Sequence, residues 1–226
     1  MAKEVAERYA TARELHGVVV RLRKEVLSGS RIGDVSVSQG EASIAVLPFT
    51  NMSMDPENEF FADGIAEEII NALTQIGNLR VAARTSAFSF KNKHVDLRIV
   101  GERLNVKTVL EGSVRKYGNR VRIMAQLISV ADGYHLWSER YDRELKDIFE
   151  VQDEIARAIT GRLKLTFEKG APQTLVKAAT QNFEAYELCL KGRALMYQRG
   201  LGIPRALECL QQAVSLDAGY ALAWRV

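Results

Sequence analysis

Apolar residues recur at helical spacing over residues 3–27, where Val5, Tyr9, Ala12, Leu15, Val19, Leu22 and Val26 form one stripe among charged neighbours. Ser28, Gly29 and Ser30 stop that pattern, and residues 28–42 read as a linker. An amphipathic helix ahead of a linker needs a surface to pack on. The next domain or a second copy would supply one, or the helix passes a signal from an upstream module.

From Ser43 the pattern changes. Ser43 to Phe49 is a short apolar run of the kind that forms a buried strand, with Pro48 at its end because proline cannot donate to a ladder. Beyond a polar loop, Phe61, Ile65, Ile69, Ala72, Leu73 and Ile76 give a helical stripe, with Asp63 or Glu57 favouring its start and Gly77 closing it. Leu79 to Ala82 is a second short strand. Residues 83–95 read as a loop, and residues 96–105 as a helix with Leu97, Val100 and Leu104 inward.

The period then becomes two. Val106–Arg115, Arg120–Ala131 and Tyr134–Tyr141 are strand candidates joined by the hairpin turns Gly118-Asn119 and Asp132-Gly133. Residues 145–168 return to helical spacing, with Asp142 as a candidate cap, and residues 171–181 form a second linker. Residues 182–217 read as two helices separated by Gly200, Gly202 and Pro204. The expected fold is α/β: a mixed sheet in the order β-α-β-α-β-β-β with helices packed on it, followed by an all-α helical hairpin. The domains fall at 1–42, 43–170 and 182–226.

Composition narrows the function. With 47% hydrophobic and 26% charged residues, the chain can bury a core. Its net charge is +3 and no segment is a polybasic or an acidic tail, so a nucleic-acid partner is not expected. Cys189 and Cys209 have no paired spacing, which excludes a disulfide framework. No apolar run reaches the 18 or so residues of a spanning helix, and the N-terminus lacks a signal-peptide core, so membrane insertion is not expected and the cytoplasm is the expected compartment.

Candidate chemistry is sparse. His16, His94 and His135 have no partners at metal-ligand spacing, and no phosphate loop, serine elbow or paired cysteine nucleophile occurs. The expectation is a non-enzyme with no cofactor and no metal. Glu67 and Glu68 point about 100° apart on their helix, so they are not expected to share one ligand and read as helix electrostatics. Arg80, Arg84, Lys91, Lys93 and Arg98 surround Phe88 and Phe90. The segment leaves a strand end, where α/β sheets bind ligands, which makes Arg84, Thr85 and Ser86 the candidate small-anion donors. Trp137 reads as a sheet-face residue.

Two resemblances extend this reading. Residues 182–226 resemble a tetratricopeptide repeat: Gly192 stands at the small position of the first helix, Ala206, Leu210 and Ala213 have the spacing of the second, and Trp224 falls where a following repeat begins. The loop between the helices is longer than usual, and Ala218 replaces the customary proline. Such arrays need about three repeats, so this resemblance implies a longer protein. It also implies that Tyr186, Cys189, Arg193 and Met196 line a peptide groove.

Residues 43–168 are similar to the N-terminal domain of TolB, through Ile44–Phe49, Asp55-Pro56-Glu57, Phe60–Gly64, Glu67-Glu68-Ile69, Ala83–Ser86, Val109–Arg115 and His135–Asp142. That domain accompanies tetratricopeptide arrays and class III adenylate cyclases or winged-helix regulators. The resemblance implies a bacterial protein–protein interaction or regulatory module, with a scaffold role through the repeat. The alternatives are a small-ligand sensor or the regulatory part of a cyclase system. It also admits a periplasmic location if a leader is missing, and a homo-oligomer through the N-terminal helix or the exposed end of the repeat. The protein partner is not named by the sequence.

Overall fold

A computed structural model describes residues 42–163, 180–198 and 202–224. The described residues all belong to one compact unit, Glu41–Val226. The expected N-terminal helix and almost all of its linker therefore lie outside the described residues, as do residues 164–179, on which the expected end of the 145–168 helix and most of the expected second linker fall.

Strand β1, Ala42–Val46, is buried at four of its five positions. Pro48 ends it as anticipated, but the chain continues along the same line into a two-residue strand, β2 (Thr50–Asn51), which pairs in parallel with Ser113 and Val114. The turn that follows is built by polar side chains. Asn51 Oδ1 accepts from Ser53 N at 2.9 Å, and Asp55 Oδ1 accepts from Glu57 N at 2.8 Å, capping a short 3-10 turn at Pro56–Asn58. Helix α1 runs Glu59–Thr74. Asp55 thus caps this entry, and the helix ends at Thr74, ahead of Gly77, with Asn78 beyond it in the left-handed region at φ 62°.

Strand β3, Leu79–Val81, leads into a five-residue helix, α2 (Arg84–Phe88), where a loop was expected, and then into α3, Leu97–Leu104, capped by Asp96. The antiparallel meander is β4 (Thr108–Tyr117), β5 (Arg120–Ser129) and β6 (His135–Glu144). Its second connection spans five residues rather than two. Val130 N bonds to Lys107 O at 2.9 Å instead of the hairpin ladder, and Asp132 Oδ1 accepts from Tyr134 N at 3.1 Å to make its own turn. Helix α4, Ile148–Arg162, follows a 3-10 turn; Asp142 is a strand residue and does not cap it. Helices α5 (Phe183–Gln198), α6 (Gly202–Leu216) and α7 (Ala221–Trp224) complete the described chain.

The sheet is mixed, in the order β3-β1-β4-β5-β6, with β1 parallel to both β3 and β4. The crossover from β1 to β3 moves one way across the sheet and that from β3 to β4 moves back past β1. Right-handed crossovers in opposite directions place their helices on opposite faces. Accordingly α1 packs with Ile44, Val46 and Leu110, and α3 with Ala45 and Val109. Helix α4 joins the α1 face over Ile123, Leu127, Trp137 and Tyr141. Among the described residues, no helix is long and apolar enough to cross a membrane.

Candidate functional site

Helix α1 has two working faces. Phe61, Ile65, Ile69 and Leu73 recur every fourth residue and are buried in the main core, whereas Gly64, Glu67 and Glu68 meet α5. The approach is close because Gly64 has no side chain: a Cβ there would lie 2.5 Å from Leu190 Cδ1. Ala185, Tyr186, Cys189 and Leu190 of α5 and Leu210 and Ala213 of α6 belong to the same core as the sheet and α1. The helix pair therefore buries its apolar face on the α/β layer.

A charged cluster closes this junction. The Arg193 guanidinium donates through Nη2 to Glu67 and through Nη1 to Glu68 Oε1, at 3.4 Å in the second case. Arg84 Nε donates to the other oxygen of Glu67 at 3.0 Å. The Arg84 guanidinium lies 4.1 Å from the Phe88 ring centre and 4.0 Å from that of Tyr197 on α5, so it is stacked between an aromatic of each part. The four charged side chains are 12–20% exposed, which removes most of the solvent screening that weakens surface pairs. Glu67 and Glu68 do share a partner after all: the planar guanidinium reaches in two directions, which a point ligand does not.

Burial pushes the Glu68 carboxyl above its ordinary value, and Arg193 opposes that shift. Burial works against the Arg193 charge too, but Glu67 and Glu68 outweigh it and hold its pKa above the arginine range. Nearby, Lys91 Nζ bonds Asp63 Oδ2 at 2.5 Å and Glu59 Oε1 at 2.8 Å. Burial raises the Asp63 carboxyl as well. Outside this cluster, Lys191 and Arg205 reach Glu57, and Lys116 reaches Glu187.

The residues expected from sequence fall in different places. Arg84 is committed to Glu67 and the two rings, while Thr85 and Ser86 are exposed on α2. Tyr186 and Cys189 are buried, Arg193 is in the junction, and Met196 packs partly buried against the cluster of Leu195, Ala206 and Cys209. The four thus turn inward to the α/β layer and to α6. The Tyr186 hydroxyl accepts from Gln152 Nε2 of α4 at 3.3 Å, and burial raises its pKa.

A cleft of about 770 Å³ opens at the carboxyl end of β1. Leu47 to Asn51, Phe90 to Val95, Glu111, Ser113, Met124 and Gln126 line it, so the segment after β3 does reach a cleft, but through Lys91, Lys93 and His94. Sequence reasoning missed the pairing of Arg193 with Glu67 and Glu68. Its one local trace is Gly64 in the middle of an otherwise strong helix, where glycine is costly unless something packs on it.

Fold and junction together define an α/β module whose helical layer carries a pair of further helices. The chain belongs to the family described as the HilA/YgeH-like transcriptional regulator, second domain, whose model matches residues 40–158. It is 46% identical over 182 residues to a Rhizobium meliloti (strain 1021) protein named "Putative adenylate cyclase 3", covering 80% of this chain and 31% of that protein. The chain thus spans about a third of that relative's length. Among solved structures it is similar to TolB from Acinetobacter baumannii, at 16% identity and a TM-score of 0.40, over 55% of this chain and 28% of TolB. It is also similar to lipoprotein GNA1162 from Neisseria meningitidis, at 23% identity and a TM-score of 0.39, over 46% and 80% of the two chains.

Proposed function

We propose that this chain is a non-catalytic regulatory module that joins a recognition array to an output domain elsewhere in a larger signalling protein. The observation that carries the reading is the Arg193–Glu67–Arg84 junction, which ties the α/β layer and the helix pair into one core. A displacement of α5 is then felt by α1 and, through α1, by the sheet. The comparisons support a regulatory rather than an output role. The family it belongs to is described as a transcriptional regulator and one relative carries a cyclase name, which supports a module that serves more than one kind of output.

In this reading α5 and α6 are the first repeat of a tetratricopeptide array. Support comes from Gly192, where a Cβ would lie 2.8 Å from Leu210 Cγ and 3.2 Å from Ala206 O, so that the two helices approach closely at a position that needs glycine. The inner face of this first repeat is occupied by α1, and peptide partners would engage repeats beyond it. A bacterial setting and a class III cyclase output follow from the same resemblance.

The test is a graft. The matching segment of the Rhizobium relative is replaced by this chain, and cyclic AMP is measured in a cyclase-deficient bacterium. A graft that supports cyclic AMP production, with output altered by Arg193→Ala at unchanged protein level, is the expected result. Equal output from both grafts would remove the junction from the regulatory path, and cyclic AMP made from ATP by this chain alone would overturn the non-catalytic assignment.

A further inference from the structure

We infer that the free edge of β6 is a self-pairing surface, taking a second copy of this chain as an antiparallel strand. Among the described residues β6 pairs with β5 alone, so its outer backbone groups have no ladder partner. The irregularity opposite Leu127 and Ile128 falls at Leu136, and from Trp137 to Glu144 the strand is regular. Side chains alternate cleanly over that stretch: Trp137, Glu139, Tyr141 and Arg143 lie toward α4, and Ser138, Arg140, Asp142 and Glu144 lie on the other face.

Charges on an edge strand ordinarily keep other strands away. Here their order is self-complementary. In a continuous sheet made by a two-fold axis, opposed residues share a face, so their numbers must have the same parity. With the axis at Tyr141, Glu139 faces Arg143 of the second copy and Arg140 faces its Asp142, and each pairing occurs twice. Moving the axis by one residue sets Arg140 against Arg140 or Asp142 against Asp142, and moving it to Glu139 sets like carboxylates together. Opposed like charges disfavour a register and opposed unlike charges favour it, so the charge order selects one register.

Asp142 is already held by Arg120 and Arg122, at 2.8 and 2.6 Å, so the Glu139–Arg143 pairing carries most of the register, and the other three side chains are available for it. Arg140 is exposed, and no hydrogen bond or ion pair ties it within the described residues. Glu139 uses Oε2 for both Trp137 Nε1 and Tyr141 Oη, each at 3.2 Å. Among the described residues no hydrogen bond to its Oε1 is formed, and the residue is exposed. Among the described residues, Arg143 is held only by Glu154 at 3.6 Å and by the Asp142 carbonyl at 3.3 Å.

Hydrogen–deuterium exchange on the full chain tests this, comparing dilute and concentrated protein. Peptides covering residues 135–144 should slow by about tenfold or more at high concentration, as unpaired outer amides enter a ladder. Arg143→Glu should abolish that slowing with the sheet peptides of β4 unchanged, and Glu139→Arg combined with Arg143→Glu should restore it. Exchange in residues 135–144 that ignores concentration would overturn the inference. So would slowing that survives Arg143→Glu, because the second copy would then be joined elsewhere, as through the N-terminal helix.

Discussion

Arg193 of α5 holds two consecutive carboxylates of α1, Glu67 and Glu68, in one guanidinium fork. Removing one partner of a largely buried pair leaves uncompensated charge, so Arg193→Ala should cost about 3 kcal/mol in urea unfolding. Arg193→Lys should fall between that variant and the wild type, because an ammonium cannot span both carboxylates. Equal stability of the alanine variant and the wild type would show that the fork adds nothing.

Gly64 and Leu190 set how near α5 can come. Alanine in a helix gains about 1 kcal/mol over glycine, whereas overpacking a core costs about 1–3 kcal/mol. The overpacking term should win, since Leu190 is 4% exposed and has little room to give. Gly64→Ala should therefore destabilise the wild type, and in a Leu190→Ala background it should be neutral or stabilising. Additive effects of the two substitutions would contradict this contact.

Acid should loosen the far end of the meander. Hydrogen bonds from Arg120 and then Arg122 hold the Asp142 carboxyl well below the ordinary aspartate value of 3.8. A depressed folded-state pKa contributes stability that is present above 3.8 and lost as pH falls through the folded value. The stability gap between wild type and Asp142→Asn should be full at pH 7 and shrink progressively below pH 3.8. Glu68 runs the other way: its raised pKa means that folding is favoured by its protonated form, and this contribution is lost as pH rises above 4.5. Glu68→Gln should accordingly compare best with the wild type near neutrality.

The elements most legible in the sequence were those whose period is imposed by one large neighbour. The α1 stripe from Phe61 to Leu73 and the alternation from Val121 to Leu127 both face a single core. Short pieces were not legible: Thr50-Asn51 and Arg84–Phe88 are fixed by where β4 and the preceding strand put the chain, not by any repeat of their own. The junction was hidden for a related reason. Arg193 and Glu67 are 126 residues apart, and neither is apolar, so hydrophobic spacing carries no trace of their meeting. Arg84 and Arg193, expected at an anion site and in a groove, both hold the Glu67 carboxylate.

The most direct measurement is native-state hydrogen exchange in increasing urea, following α5 and β5 together. If the junction makes one cooperative body, the slowest amides of Phe183–Gln198 and Arg120–Ser129 should converge on a single opening free energy, and Arg193→Ala should separate them. Exchange of α5 at far lower urea than β5 in the wild type would contradict the account, because the helix pair would then open without the sheet and could not relay its state.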